Sequence, residues 1–280
     1  MQELYAPDFD LRLTLESGQA FRWRKMGLRP CRYYGFIRST PVIIQQEGER
    51  LLIDTALDTR AVSHYFRLDD DLHKIFKSIR ESSAHDPRIL ELFQKRWGLR
   101  VTRQDPWECL ISYLCSAVNN IPRIEQIIEK LSRRFGECIG ASLYKFPTPE
   151  RLASASEREL KTCGLGFRAE FVHLAAKAVN AEKLNLNKLK KLSYEEAKEA
   201  LMSLHGIGDK IAHCVLLFSL GKLEAFPVDR WIRRAMKALY FKNKRVSDDE
   251  IRAFAREHFG RFCGYANQYL FCEWRGQERL

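Results

Sequence analysis

The chain has 280 residues, and its 47 Lys and Arg against 36 Asp and Glu give a formal net charge of +11. This length can bury a core without disulfides or a metal. The charge favours a polyanionic partner such as nucleic acid or a membrane surface, with a basic enzyme of scattered surface charge as the alternative. A signal peptide and an apolar run of roughly 18 residues are both missing, which predicts an intracellular, soluble protein.

Residues 1 to about 54 predict a small antiparallel sheet, because DLRLTL alternates and short β-branched or aromatic runs follow it between turn residues. From about Asp58 the apolar spacing becomes helical, with aspartates at cap positions. The remaining chain predicts a series of helices at about 105–118, 123–135, 148–153, 157–163, 167–181, 194–204, 209–220, 230–239 and 248–259, with a last one from 264.

The predicted fold class is therefore α+β. An N-terminal antiparallel sheet domain with its following helices covers 1–85 and packs on a mostly helical body over 86–280. Eight cysteines show neither a C-x-x-C pair nor any other paired ligand spacing, so they predict reduced core residues instead of a metal site.

The stretch LHGIGDK predicts a tight turn between two helices, within a helix–hairpin–helix at about 196–220. Gly206 and Gly208 can take positive φ angles and leave room for a phosphate to approach. Free N–H groups at the start of the next helix, which carries Lys210, would face that phosphate. The unit is a candidate clamp for a DNA backbone, and a helix corner with glycines needed only for geometry is the alternative.

Further along, FPVDR predicts an extended approach followed by Asp229 at the N-cap of a helix. Capping alone would explain this aspartate. One helix and a short return, however, would bring Lys210 and Asp229 to neighbouring helix starts, so that an amine nucleophile would lie beside a carboxylate.

The combination of GIGDK and PVD resembles the helix–hairpin–helix superfamily of DNA base-excision glycosylases. Within it, the chain is similar to the 8-oxoguanine DNA glycosylase/lyase family over nearly its whole length. Five segments carry this resemblance in the same order, namely SGQAFRW (17–23), DPWECLISYLCS (105–116), NNIPRI (119–124), GLGFRAEFV (164–172) and GYANQYLF (264–271).

The resemblance implies that Lys210 attacks C1′ of the damaged nucleotide, expels the base and forms a Schiff base that permits β-elimination. Asp229 would orient the lysine and stabilise positive charge on the sugar. The implied partner is double-stranded DNA with 8-oxoguanine opposite cytosine, bound by a monomer and without a required cofactor.

The resemblance also implies roles in binding the flipped nucleotide and the duplex. The Gly18 carbonyl would accept the N7–H of 8-oxoguanine, Phe271 and Cys214 would lie against the two faces of the base, and Phe167 would wedge into the stack. Other DNA contacts are implied at Asn119, Asn120, Arg123, Arg168, Gly206, Gly208 and Arg230, with Arg123 and Arg168 reading the opposite cytosine.

The chain departs from the family pattern at three places. Asn267, followed by Gln268, stands where the family commonly has a glutamine that contacts the Watson–Crick edge of the base. Val118 stands at the position of the asparagine-rich segment that often helps to fill the gap left by the flipped base. Arg230 and Trp231 replace a Val-His pair. The family hairpin also implies a monovalent cation on the backbone carbonyls of Met202, Leu204 and Ile207.

Three other readings of the same motifs exist. Superfamily branches with a C-terminal iron–sulfur cluster have four closely spaced cysteines, whereas only Cys263 and Cys272 occur near this end, so no such cluster is predicted. The alkyladenine branch typically lacks the hairpin lysine. A non-catalytic DNA-binding module would lose affinity, and no chemistry, on replacement of Lys210.

Overall fold

The N-terminal region folds as one five-stranded antiparallel sheet in the computed structural model, which describes residues 1–27, 31–140 and 142–276. The strand order is β1-β5-β4-β3-β2. The alternating side chains of the long central strands put Val42, Ile44, Leu51 and Ile53 on the buried face. The strands are β1 Gln2–Tyr5, β2 Arg24–Met26, β3 Arg32–Ile37, β4 Thr40–Glu47 and β5 Arg50–Thr55.

One sequence prediction within this region is wrong, because DLRLTL forms a helix, α1 (Leu11–Glu16). The Asp10 side chain accepts a hydrogen bond from the Leu13 N–H at 2.7 Å and so caps the helix. Leu11 and Leu15, four residues apart, are both buried. Burial of this one helical face outweighs the alternating pattern.

The remaining described chain is helical, and the predicted series is confirmed to within a few residues. Several helices have proline at their first or second position after a capping Asp, Asn or Thr, which places the ring where no N–H is needed. The helices are α2 Thr59–Tyr65, α3 Leu72–Ser82, α4 Pro87–Lys95, α5 Pro106–Cys115, α6 Ile121–Phe135, α7 Pro149–Ser154, α8 Glu157–Thr162, α9 Arg168–Asn180, α10 Leu186–Leu189, α11 Tyr194–Met202, α12 Asp209–Phe218, α13 Arg230–Leu239, α14 Asp248–Phe259 and α15 Cys263–Gly276, with a 3₁₀ turn at Gly260–Phe262.

Two hydrophobic cores underlie this α+β arrangement. One core is formed by buried residues of the sheet region, from Ala6 to Phe66 along the chain. The other core is formed mostly by the helices that follow. Helix α3 buries Leu72, Ile75 and Ile79 in the helical core, although the predicted division at residue 85 groups this helix with the sheet. The last residues of the predicted second domain, 277–280, lie outside the described residues.

The helical core positions α5, α12, α13 and α15 around one opening. Helix α12 packs on both α5 and α11, and α13 packs on α15. Among the described residues, no helix is long and apolar enough to span a membrane.

Candidate active site

A cavity of about 640 Å³ opens between α5, α12, α13, α15 and the loop that follows α1. It gathers residues from distant parts of the sequence into one chamber. Among the predicted site residues, its lining includes Gly18, Asn119, Asn120, Lys210, Cys214, Asp229, Arg230, Asn267, Gln268 and Phe271.

Lys210 reaches into this cavity from the first turn of α12. Its Nζ donates a hydrogen bond to Ser116 Oγ at 2.7 Å and lies 5.4 Å from the centre of the Tyr113 ring. Ser116 and Tyr113 lie three residues apart at the end of α5, so they share one helix face. The amine is therefore held in a defined place beside an aromatic ring.

Asp229 faces the same cavity as the N-cap of α13. Its Oδ1 accepts from the N–H groups of both Trp231 and Ile232 at 2.9 Å. Burial raises the pKa of the Asp229 carboxyl, while the two N–H groups and Lys210 act in the opposite direction. Lys210 and Asp229 therefore line the same cavity, near the starts of α12 and α13.

The loop after α1 forms the opposite wall. Gly18 has φ +82°, and an added Cβ would meet Arg275 Nη1 at 2.1 Å and Ile121 Cδ1 at 2.6 Å. The next residue, Gln19, is buried, and its amide nitrogen donates to Arg100 O at 2.8 Å while its Oε1 accepts from Thr102 N at 2.8 Å. This wall is fixed by buried hydrogen bonds.

Cys214, one turn beyond Lys210, is buried, and burial raises the pKa of its thiol to about 12. The group is therefore a neutral thiol at the cavity wall. Phe271 is half-buried on α15, with the Arg275 guanidinium 5.4 Å from its ring centre. Gln268 is buried and donates to Ser17 O at 3.4 Å, next to Gly18.

Asn267 lines the cavity, but its side chain is already engaged. Its Nδ2 donates to the Pro227 carbonyl at 2.9 Å, in the loop that precedes Asp229. The residue is 3% exposed. The contact of Asn267 with the base stays a prediction. The structure shows a different partner for this side chain, the Pro227 carbonyl, which the sequence did not indicate.

The turn after α5 lines the cavity, and the start of α9 is hydrogen-bonded to that turn through Arg168. Val118 is 92% exposed and Phe167 is 55% exposed. Asn120 caps α6 by accepting from Arg123 N at 3.0 Å, and Asn119 donates to Cys115 O at 3.1 Å. The exposed apolar side chains fit the predicted contact with DNA, while both asparagines also hold the turn.

Arg168 does not project toward solvent as a base reader would. Its guanidinium is buried and donates to the carbonyl oxygens of Ala117, Val118 and Leu165, with an Nε to Ala117 O distance of 2.7 Å. A contact with the opposite cytosine would require some of these bonds to open. Arg123 is exposed, and its guanidinium donates a hydrogen bond to Gln126 Oε1 at 3.3 Å.

The two hairpin glycines differ, and the predicted positive φ is wrong for one of them. Gly206 has φ +90°, and an added Cβ would lie 2.3 Å from the Phe171 ring. Gly208 has φ −93°, an ordinary value, because it is the N-cap of α12 and needs extended backbone there. The space around Gly208 is open, as close approach of a phosphate would require.

The carbonyls predicted to hold a cation lie at the end of α11 and in the turn that leads to α12. Leu204 O accepts from Ile207 N at 3.1 Å, and a carbonyl oxygen has a second lone pair for a cation. Met202 is exposed at the end of α11. Within the described chain, no group of three or more His, Cys, Asp or Glu side chains is placed to hold a metal ion.

Sequence reasoning missed several residues of the cavity, notably Ser116, Tyr113 and Arg275. Ser116 and Tyr113 lie within the quoted segment at 105–116, and their spacing to one face of a helix is a usable signal. Arg275 gives no such signal, because only the close packing of α15 against the loop after α1 brings its Nη2 to Glu16 O at 2.6 Å.

Residues 3–110 match the family model of the 8-oxoguanine DNA glycosylase N-terminal domain. Residues 111–261 match the model of the HhH-GPD superfamily base excision DNA repair proteins. The chain therefore belongs to that repair superfamily.

The solved structures and curated relatives narrow the class further. The Clostridium acetobutylicum 8-oxoguanine glycosylase/lyase, bound to DNA with cytosine opposite 8-oxoG, superposes with a TM-score of 0.89 at 35% identity, covering 97% of this chain and 93% of that one. A probable N-glycosylase/DNA lyase of Methanothermobacter thermautotrophicus is 28% identical over 94% of this chain and 93% of the relative. The Arabidopsis thaliana N-glycosylase/DNA lyase OGG1 is 35% identical over 79% of this chain and 64% of the relative.

Within the superfamily, the chain is a member of the 8-oxoguanine DNA glycosylase/lyase family. It is accordingly an enzyme of the DNA N-glycosylase and DNA lyase class.

Proposed function

We propose that this protein flips 8-oxoguanine out of duplex DNA, excises it from opposite cytosine, and then cleaves the strand at the resulting site. The observation that carries the proposal is the location of Lys210 and Asp229 in one cavity of about 640 Å³ with Gly18 on its opposite wall. A base in a duplex is inaccessible, so an enzyme acting on it needs a pocket of this kind.

In the first step, the neutral amine of Lys210 attacks C1′ and the bond from C1′ to the base nitrogen breaks. The electron pair of that bond leaves with the base, which takes up a proton, while the attacking amine gives up one as it becomes a secondary amine. Ser116 Oγ, 2.7 Å from Nζ, orients the amine. The carboxylate of Asp229 stabilises the positive charge that develops on the sugar.

In the second step, the sugar ring opens and the lysine nitrogen and C1′ form a Schiff base. The positive nitrogen withdraws electrons, so the C2′ proton passes to solvent, a C2′–C3′ double bond forms, and the bond from C3′ to the phosphate oxygen breaks with its electron pair on the phosphate. This β-elimination releases the 3′ phosphate and nicks the strand. Hydrolysis of the imine then frees Lys210.

Recognition of the lesion rests on the groups around the pocket. The Gly18 carbonyl accepts the N7–H that 8-oxoguanine carries and guanine lacks, a discrimination of about 0.5–1.5 kcal/mol. Phe271 and Cys214 lie against the faces of the base. On the duplex side, Phe167 fills the stack and Arg123 contacts the opposite cytosine.

The hairpin supplies contacts to the phosphate backbone. Helix α12 has no side-chain cap, so the N–H groups of its first turn remain available to an anion. A monovalent cation, if bound, would be held by the carbonyls of Met202, Leu204 and Ile207 and would add positive charge to this contact.

Borohydride trapping tests the proposal. The protein is incubated with a labelled duplex that contains 8-oxoguanine opposite each of the four bases, and the imine is reduced to a stable adduct. We expect the strongest adduct opposite cytosine and none in Lys210→Gln. Lys198→Gln, in the same hairpin but paired with Asp209 at 2.7 Å, is the matched lysine control and keeps the adduct.

Other results would point elsewhere. Tight binding without any adduct in the wild type would favour a DNA-binding module. Base release without an adduct would identify water as the nucleophile. An intact duplex with every oxidised or ring-opened purine would exclude the proposed activity.

A further inference from the structure

The loop between α12 and α13, residues 219–229, carries Asp229 at its end. Two buried side chains from different helices bind its backbone. His213, on α12, accepts from the Phe226 N–H at 3.2 Å, and Asn267, on α15, donates to the Pro227 carbonyl at 2.9 Å. The two bonded residues, Phe226 and Pro227, are adjacent in sequence and lie just before Val228 and Asp229.

The contact of His213 defines its tautomer. A ring nitrogen that accepts from a backbone N–H cannot carry a proton, so Nδ1 is the acceptor and the proton lies on Nε2. Nε2 is 3.1 Å from the hydroxyl of Tyr194. Burial, with the nearby cations Arg252 and Lys198, lowers the pKa of His213 to about 3, which keeps the ring neutral.

The contact of Asn267 complements that of His213. Pro227 has no N–H to donate, so its carbonyl is the polar backbone group that can anchor this residue. The Asn267 amide binds it from the side of α15. The start of α15 also binds the loop further back, where Gly264 N donates to Leu223 O at 2.8 Å.

His213 lies three residues after Lys210 on the same helix. Its bond to Phe226 therefore ties the segment that carries the carboxylate to the helix that carries the amine. Asn267 fixes the same segment from the other side. Rotation of either bonded peptide would move Asp229 relative to Lys210.

We propose that His213 and Asn267 are positioning residues, which together hold the 225–229 segment so that Asp229 faces Lys210. This inference rests on the proposed function, because it concerns the two groups that perform that chemistry. It also gives Asn267 a role toward the protein backbone in place of a contact with the damaged base.

The two roles for Asn267 predict different results with abasic DNA. An abasic site has no base for Asn267 to contact, yet Lys210 must still attack C1′ there under the influence of Asp229. A positioning residue therefore affects both substrates equally, whereas a base-reading residue affects only the substrate that retains its base.

The experiment measures single-turnover rates of Asn267→Leu and His213→Leu on 8-oxoguanine duplex and on abasic duplex. We expect both rates to fall by a similar factor of about 10 to 100, as small misplacement of a catalytic group does, with DNA affinity within about threefold of wild type. His213→Asn, which keeps an acceptor near the Nδ1 position, should recover part of the loss. Asn180→Leu, an exposed asparagine at the end of α9, is the matched control and keeps the wild-type rates.

A double-mutant cycle with Asp229→Asn completes the test. If both residues act through Asp229, their effects should largely disappear in that background. A loss for Asn267→Leu that is confined to 8-oxoguanine DNA would overturn the inference, and so would full additivity with Asp229→Asn. Failure of the proposed function looks different, since the wild type itself would then neither excise nor form an adduct. A single cooperative thermal unfolding transition verifies that each variant is folded, and Asn267→Ser replaces Asn267→Leu if the latter does not fold.

Discussion

The loop 17–20, through Gly18, and the segment 117–120 contribute to the same cavity, but they are built differently. In the first, Gln19 is 1% exposed and makes hydrogen bonds through both ends of its amide. In the second, Val118 is 92% exposed and has φ +49°, which is an unfavourable conformation for a β-branched side chain. A fixed inner wall suits selection of one base, while an exposed apolar rim suits contact with a duplex.

The largest effect is expected at the inner wall, from Gln19→Leu. The change leaves several buried groups without partners, including Arg100 O and Thr102 N, and we expect a loss of about 3–5 kcal/mol of unfolding free energy. Urea denaturation measures it. Gln126→Leu, an exposed glutamine, should change stability by less than about 0.5 kcal/mol. Equal stabilities for the two variants would contradict the fixed-wall interpretation.

The next largest effect is expected from Asp229→Asn. This change should lower the excision rate about 100-fold, because it removes the negative charge that stabilises the sugar cation. Because burial raises the pKa of this carboxyl, wild-type excision should decline on acidification at a higher pH than an ordinary aspartate would give.

The same raised pKa has a consequence for stability. It favours the protonated form in the folded state, so this contribution is present below the ordinary pKa and is lost as pH rises through the raised pKa. Asp229→Asn should therefore be more stable than wild type at neutral pH, with a difference that shrinks in acid. Thermal unfolding over a pH series measures this. A variant less stable than wild type at neutral pH would show that the carboxylate is stabilising there.

Gly18→Ala should have an intermediate effect at the inner wall. The added methyl meets Arg275 and Ile121 and must adopt φ +82°, so we expect excision of 8-oxoguanine to fall about 10- to 100-fold. Strand cleavage at an abasic site should fall much less, because the methyl displaces Arg275 and Ile121, which line the cavity proposed to receive the base. Equal losses on both substrates would indicate general disruption of the fold.

The smallest effect belongs to the rim. Val118 has a positive φ, which asparagine tolerates better than a β-branched residue does. We therefore expect Val118→Asn to raise the unfolding free energy by about 1 kcal/mol. Val118→Thr keeps the β-branch and should show no gain. Denaturant titration of both variants decides the matter, and a gain in the threonine variant would locate its cause outside the backbone.

The elements that the sequence predicted well are those with strong local signals. The last six predicted helices of the body begin or end within about two residues of the observed ones, because capping residues and glycines mark their ends. The helix at Leu11–Glu16 was predicted as a strand, because the apolar spacing of a six-residue segment can fit a helix or a strand. Which of its side chains are buried depends on the sheet against which it packs.

The sequence by itself determined the hairpin, the positions of Lys210 and Asp229 at helix starts, and the family to which their surroundings belong. Each of these features is expressed in short segments, within which the residues lie close together along the chain. The tertiary structure alone decided that Arg168 binds the carbonyls of Ala117 and Val118, and that Asn267 binds Pro227. A buried polar side chain takes whichever partner the packing brings within reach, and the packing joins segments about 40 to 50 residues apart.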